Sequence, residues 1–145
     1  MEIATIGFTQ SSAERFFERL KQAGVRRVMD VRLHNVSQLS GFAKGNDLAY
    51  FARAICDASY DHELRLAPTD ELLSAYRKDG QTWASYEAGF LQLMRSRGVP
   101  GSLDRRSFEE QKTALVCSEA TAIKCHRRLV AEMLEQAWAA QVEHL

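Results

Sequence analysis

No run of apolar residues in this chain approaches the ~20 needed to cross a bilayer. The first residues, Met1-Glu2-Ile3-Ala4-Thr5-Ile6, lack the basic segment and long apolar stretch of an export signal. The expectation is a soluble cytoplasmic protein with no membrane partner. Neither charge is in excess, since 19 basic and 19 acidic residues cancel when histidine is neutral. That balance selects no polyanion, and with no interleaving of basic and aromatic residues an extended nucleic-acid duplex is not an expected partner. Cysteine is scarce and odd in number, at Cys56, Cys117 and Cys125, which argues against a disulfide framework and for reduced thiols. No repeat, low-complexity tract or linker interrupts the 145 residues, a length suited to one domain, residues 1–145, with one real core.

What is present alternates between strand and helix patterns. Glu2 to Ile6 alternates and stops at Gly7, a first strand. Ser12 and its neighbours offer a helix cap, and Phe16, Phe17 and Leu20 recur at helical spacing up to Gly24. Arg26 to Val31 is a second strand that ends in Asp30 and Arg32, charges a buried strand carries only at its mouth or when paired. Periodicity then disappears from Leu33 to Asn46, a long loop of the kind that often carries function. Asp47 to Ile55 is helical, with Cys56 at its end read as a small buried hydrophobe, and Ala58 to His62 is a weak third strand. Thr69 and Thr82 cap two further helices. The second carries Trp83, Tyr86, Phe90, Leu93 and Met94 as one apolar stripe, which reads as core, or as a homodimer contact if part of it stays exposed. A short helix near Asp104 to Lys112, a strand from Thr113 to Cys117, a helix from Ile123 to Ala140 and a strand at Val142 to Leu145 complete the order. This is an α/β pattern, predicting a three-layer domain with a mainly parallel sheet of about five strands. The simplest order is 3-2-1-4-5, with a switch point between strands one and four.

The organising stretch is Thr113 to Leu134. An apolar strand ends at Cys117-Ser118-Glu119, a loop of small residues follows, and Cys125-His126-Arg127 opens a helix. A thiol near a helix N-terminus beside arginine or histidinium has a lowered pKa, and the thiolate is its reactive form. Cys125 meets that description in sequence, and Cys117 meets it if the fold brings those groups over. Adjacent helical residues point about 100° apart, so Cys125 and His126 need not touch.

Several of these features together resemble the family catalogued as domain of unknown function 488. They are Thr5-Ile6-Gly7, Asp30-Val31-Arg32, Ser37, Gly41-Phe42-Ala43-Lys44, Leu64 through Thr69, Trp83-Ala84-Ser85-Tyr86, and the pair Cys117-Ser118-Glu119 and Cys125-His126-Arg127. The resemblance implies a small α/β protein and assigns no activity. Two departures stand out: Phe8 and Thr9 occupy positions that are commonly histidine and serine, and Val36 stands where a proline is usual. The resemblance therefore leaves His62 or His126 to supply any imidazole chemistry. Asp30-Val31-Arg32 and a cysteine ahead of an arginine-bearing helix are also faintly similar to rhodanese-like sulfurtransferases, without their compact Cys-x4-Arg loop.

Three chemistries fit these residues. In the first, Cys117 or Cys125 is a nucleophile or redox thiol, His126 moves a proton, and Asp30 and Glu119 orient. In the second, Arg32, Lys44 and Arg127 hold a small phosphate- or carboxylate-bearing ligand or nucleotide. Thr5, Gly7, Ser37, Phe42, His62 and Glu63 line that site, and Glu63 and Glu119 are also candidate bases. In the third, Cys117, Cys125, His126, His62 and Glu119 are metal donors, but Cys-x7-Cys-His lacks the close paired spacing of a structural zinc site, and no metal or cofactor is assigned. The leading expectation is a cysteine-dependent transferase or hydrolase acting on an anionic substrate. The competing one is a non-catalytic module for a nucleotide, a nucleic-acid end or a protein.

Overall fold

The computed structural model describes residues 1–36 and 40–145. Five strands, β1 (Glu2–Gly7), β2 (Arg27–Asp30), β3 (Ser59–His62), β4 (Thr113–Cys117) and β5 (Gln141–His144), form one sheet in the order β3-β2-β4-β1-β5. All neighbouring pairs are parallel. Among the described residues six helices join them: α1 (Ala13–Gln22), α2 (Gly45–Cys56), α3 (Asp70–Arg77), α4 (Trp83–Ser96), α5 (Arg105–Glu110) and α6 (His126–Trp138).

Side-chain alternation along the strands sorts the interior into two layers. Ala4, Ile6, Val28, Ala114 and Val116 face α1 and α2, where Phe16, Phe17, Leu20, Leu48 and Ala52 cover them. Ile3, Met29, Leu115 and Cys117 face the other way, onto Phe90 and Met94 of α4 and Leu129, Val130 and Leu134 of α6. Each such large side chain contributes about 1.5–3 kcal/mol by leaving water. The Trp83 to Met94 stripe is spent here: Tyr86, Phe90 and Met94 are buried, and Trp83 and Leu93 pack against them half-exposed. Cys56 is likewise buried, its thiol against the Phe17 carbonyl.

Helix starts follow the capping residues. Ser12, Thr69, Thr82 and Asp104 each accept a backbone N–H of the first turn with the side chain. The last helix begins three residues later than its periodicity suggests, because Cys125 is still extended (φ −141°, ψ 137°) and acts as its N-cap.

The five-stranded parallel α/β arrangement is as the sequence predicts, but β4 and β1 exchange places relative to the order 3-2-1-4-5. Both strands are buried on both faces, so neither composition nor periodicity distinguishes which lies at the centre. The exchange has a chemical consequence. With β4 central, Cys117 is the register partner of Gly7 on one side, while Val116 pairs with Asp30 on the other. The switch point still lies between β1 and β4, whose chains leave to α1 on one face and α6 on the other. Among the described residues no helix is long and apolar enough to cross a membrane.

Candidate functional site

At the carboxyl end of β4 the side chains of Cys117, Cys125 and His126 converge. The Sγ of Cys117 lies 3.8 Å from Nδ1 of His126, and the donor atoms of Cys117, Cys125 and His126 all lie within 4.8 Å of one another. His126 is held from behind: its Nε2 donates to the Val31 carbonyl at 2.8 Å, and its ring packs 5.4 Å from that of Phe90. A carbonyl has no proton to give, so Nε2 carries one and Nδ1 is left to face the thiol. Because Cys125 caps the helix instead of continuing it, its thiol and the His126 ring turn toward the same strand end.

Arg127 closes the other side. It is fully buried, and its Nη1 donates to the Glu119 carbonyl at 2.7 Å and to Cys125 Sγ at 3.3 Å. Gly7 makes this loop position attainable. A Cβ on residue 7 would fall 1.7 Å from the Glu119 carbonyl oxygen and 3.2 Å from Arg127 Nη1, so any side chain there displaces the loop.

These contacts set the protonation states. The hydrogen bond from the Cys125 thiol holds Cys117 well below the ordinary thiol range; burial opposes this, and His126 and Arg127 reinforce it. Cys125 moves up by the same bond, with burial and the Cys117 charge adding to it. Burial lowers His126, but the Cys117 thiolate outweighs it and the net movement is upward. These shifts favour the charged forms of Cys117 and His126 and the neutral thiol of Cys125. The same three donors, within 4.8 Å of one another, are of the type that binds a soft divalent cation.

A second buried network lies beside the first. Asp30 is fully buried and receives Arg32 in a fork, Nε to Oδ1 at 2.8 Å and Nη2 to Oδ2 at 2.6 Å, together with the Arg32 backbone N–H and the Tyr60 hydroxyl. Arg32 Nη2 also donates to the Ala43 carbonyl, and its guanidinium lies 4.9 Å from the Phe8 ring centroid. Asn35 donates to Tyr60 and His62, and His62 in turn donates to the Arg32 carbonyl. Among the described residues, Arg32 Nη1 and Arg127 Nε are the buried side-chain nitrogens left without a partner.

Two small cavities, of about 30 and 50 Å³, open onto the thiol, and both are lined by Leu73, Arg77, Cys117 and His126. The first adds Tyr76, Trp83, Tyr86 and Lys124, and the second adds Arg32, His34 and Ser118. A roomier hollow of about 410 Å³ beside Arg53 and Asp57 contains no thiol and no buried charge.

Residues 12–134 match the family described as Domain of unknown function DUF488. The chain belongs to that family. No curated protein and no solved structure matches it.

In this DUF488 protein the residues singled out from sequence divide sharply by position. Cys117, Cys125, His126 and Glu119 meet at the first cavity, and Arg32 lines the second, while Arg127 supports the loop from within. The Glu119 carboxylate is more than half exposed and 3.9 Å from Arg77, so it is a rim charge. Asp30 and His62 are held in the second network and line neither cavity. Thr5 is buried against β5, its Oγ1 2.7 Å from His144 Nδ1. Phe42 stacks among Phe8, Phe16 and Phe17. Glu63 pairs with Arg65 in a fork that lowers its pKa. Lys44 is the N-cap residue of α2 and does not line the cleft. Ser37 lies outside the described residues. Phe8 is buried under Arg32 on the α1 side, and the imidazole at the thiol is His126.

Sequence reading missed Arg77, Lys124, His34 and the aromatic wall of Tyr76 and Trp83 as site residues. Lys124 alone carried a signal, being next to Cys125. Tyr76, Arg77 and Trp83 reach the cleft because α3 and α4 pack over the strand ends, and His34 reaches it from the loop after β2, which no local pattern announces.

Proposed function

We propose that this DUF488 protein is a cysteine-dependent transferase or hydrolase that acts on a small anionic substrate, with Cys117 as nucleophile and His126 as its proton-transfer partner. The observation that carries this reading is the 3.8 Å approach of Cys117 Sγ to His126 Nδ1 at the floor of a cleft, with Nε2 fixed on a backbone carbonyl. A structural cysteine needs neither an oriented imidazole nor an opening. Arg32 and Arg77 supply positive charge at the cleft, and Lys124 adds to it at the aromatic end. Arg127 acts from inside by fixing Cys125 and the Glu119 loop, and Asp30 acts by fixing Arg32. Three free thiols accord with a reducing compartment such as the cytoplasm.

The test is competitive alkylation with limiting iodoacetamide at neutral pH, followed by peptide mapping. Cys117 is expected to be modified first, and C117S to remove the fast phase. Modification confined to Cys56 or Cys125, or a Cys117 as slow as an ordinary thiol, favours a non-catalytic binding module instead.

A further inference from the structure

Resting on the proposed role of Cys117, we infer that the substrate carries an oxyanion group within a few bonds of the atom that Cys117 attacks, with the anion seated on Arg32 and the departing part leaving along Trp83 and Tyr86.

The argument begins with Arg32. Its side chain is 4% exposed, and of its three hydrogen bonds two fix it to Asp30 and one to the Ala43 carbonyl. Nη1 has no acceptor among the described residues. A buried guanidinium N–H without a partner costs free energy, and that cost is removed when an anion fills the position. Arg32 shares the 50 Å³ cavity with Cys117, His126 and Ser118. A space of that size holds a few waters or one carboxylate, sulfonate or phosphoryl group. It cannot hold an anion together with a long spacer. The electrophilic atom at Cys117 is therefore close to the charge in the covalent structure of the substrate.

The other cavity, of about 30 Å³, supplies the direction of departure. It shares Cys117 and His126 but is walled by Tyr76, Trp83 and Tyr86, with ring centroids 5.1 to 5.8 Å apart. That wall suits an apolar or planar portion. In the reaction the Cys117 sulfur lone pair forms a bond to the electrophilic atom, and the bond to the leaving group breaks with its electron pair. The leaving group takes the proton from His126 Nδ1, which ends neutral. No oxidant or further reactant is required.

Iodoacetate and iodoacetamide are matched probes, because both present a CH2 to sulfur and only the first has a carboxylate one bond away. An unassisted thiolate reacts more slowly with the anionic reagent, since the two negative charges repel. In this protein Cys117 is expected to react at least about tenfold faster with iodoacetate than with iodoacetamide, as one charge-assisted hydrogen bond allows. 3-Iodopropionate, with a longer spacer, should lose that advantage. Inorganic sulfate should protect Cys117 where chloride at equal ionic strength does not. R32K keeps a positive charge beside Asp30 but removes the free N–H, and should lower the iodoacetate to iodoacetamide ratio about tenfold. The wild-type reagent ratio and sulfate protection need no folded variant. Fast iodoacetamide labelling with no preference for iodoacetate and no sulfate protection would overturn the Arg32 assignment while leaving Cys117 as nucleophile. An iodoacetate preference undiminished in folded R32K would overturn it equally. A Cys117 slow toward both reagents would overturn both readings.

Discussion

Asp30→Ala is expected to lower the unfolding free energy by about 3–5 kcal/mol, the usual cost of removing one partner from a buried ion pair. Among the described residues, the change leaves the Arg32 guanidinium, 4% exposed, with only the Ala43 carbonyl to accept from it. The Tyr60 hydroxyl and the Arg32 backbone N–H lose the same acceptor. Set against the 5–15 kcal/mol that holds a typical domain folded, about a third or more of the margin disappears. Tyr60→Phe removes one neutral hydrogen bond and should cost nearer 1 kcal/mol. Urea unfolding curves for the two variants decide the matter. A loss below 1 kcal/mol for Asp30→Ala would mean that Asp30 is free to do chemistry and is not the anchor of Arg32.

His126→Gln should raise the Cys117 pKa and slow alkylation at pH values below it by about tenfold for each unit of the rise, since one pKa unit is a factor of ten in thiolate below the pKa. The glutamine amide can still donate to the Val31 carbonyl, so the packing of the ring position is largely kept. The sign follows from the shifts. Hydrogen bonding from Cys125 and the charge of His126 lower Cys117, so in the native protein the thiolate persists as the pH falls below the usual thiol range. His126 is itself raised by that thiolate, so the imidazolium persists as the pH rises. The rate against pH is therefore flat through neutrality for the native protein. Removing the imidazolium moves the fall in rate to higher pH. An unchanged profile would assign the low Cys117 pKa to Cys125 and Arg127 alone.

The strand from Thr113 to Cys117 was legible residue for residue, because a short apolar run bounded by Lys112 and Ser118 permits little else. The strand-loop-helix that follows was legible too, but whether its return brings His126 to Cys117 was left open. The helical rule that adjacent side chains diverge by about 100° does not apply to Cys125, which stands outside the helix as its N-cap. Asp30 stayed ambiguous for a different reason. Asp30-Val31-Arg32 reads equally well as two charges facing a ligand or as one internal pair, and only the burial of both selects the pair. Lys44 and Glu63 failed because charge near a strand mouth says nothing about where a long side chain or its partner lies. Strand order was beyond reach, since β1 and β4 present equally buried surfaces. That order nonetheless decides the site: with β4 between β1 and β2, the Val31 carbonyl reaches His126 while Gly7 admits the Glu119 loop.

The central claim is that Cys117 rests as a thiolate paired with His126. Ultraviolet absorbance of the thiolate, titrated in the native protein and in C117S, tests it most directly through the difference between the two curves. The account predicts one thiolate already present at neutral pH in the native protein and absent from C117S, vanishing only when the solution is made distinctly acidic. A difference curve that develops near the ordinary thiol value of about 8.5 would contradict it.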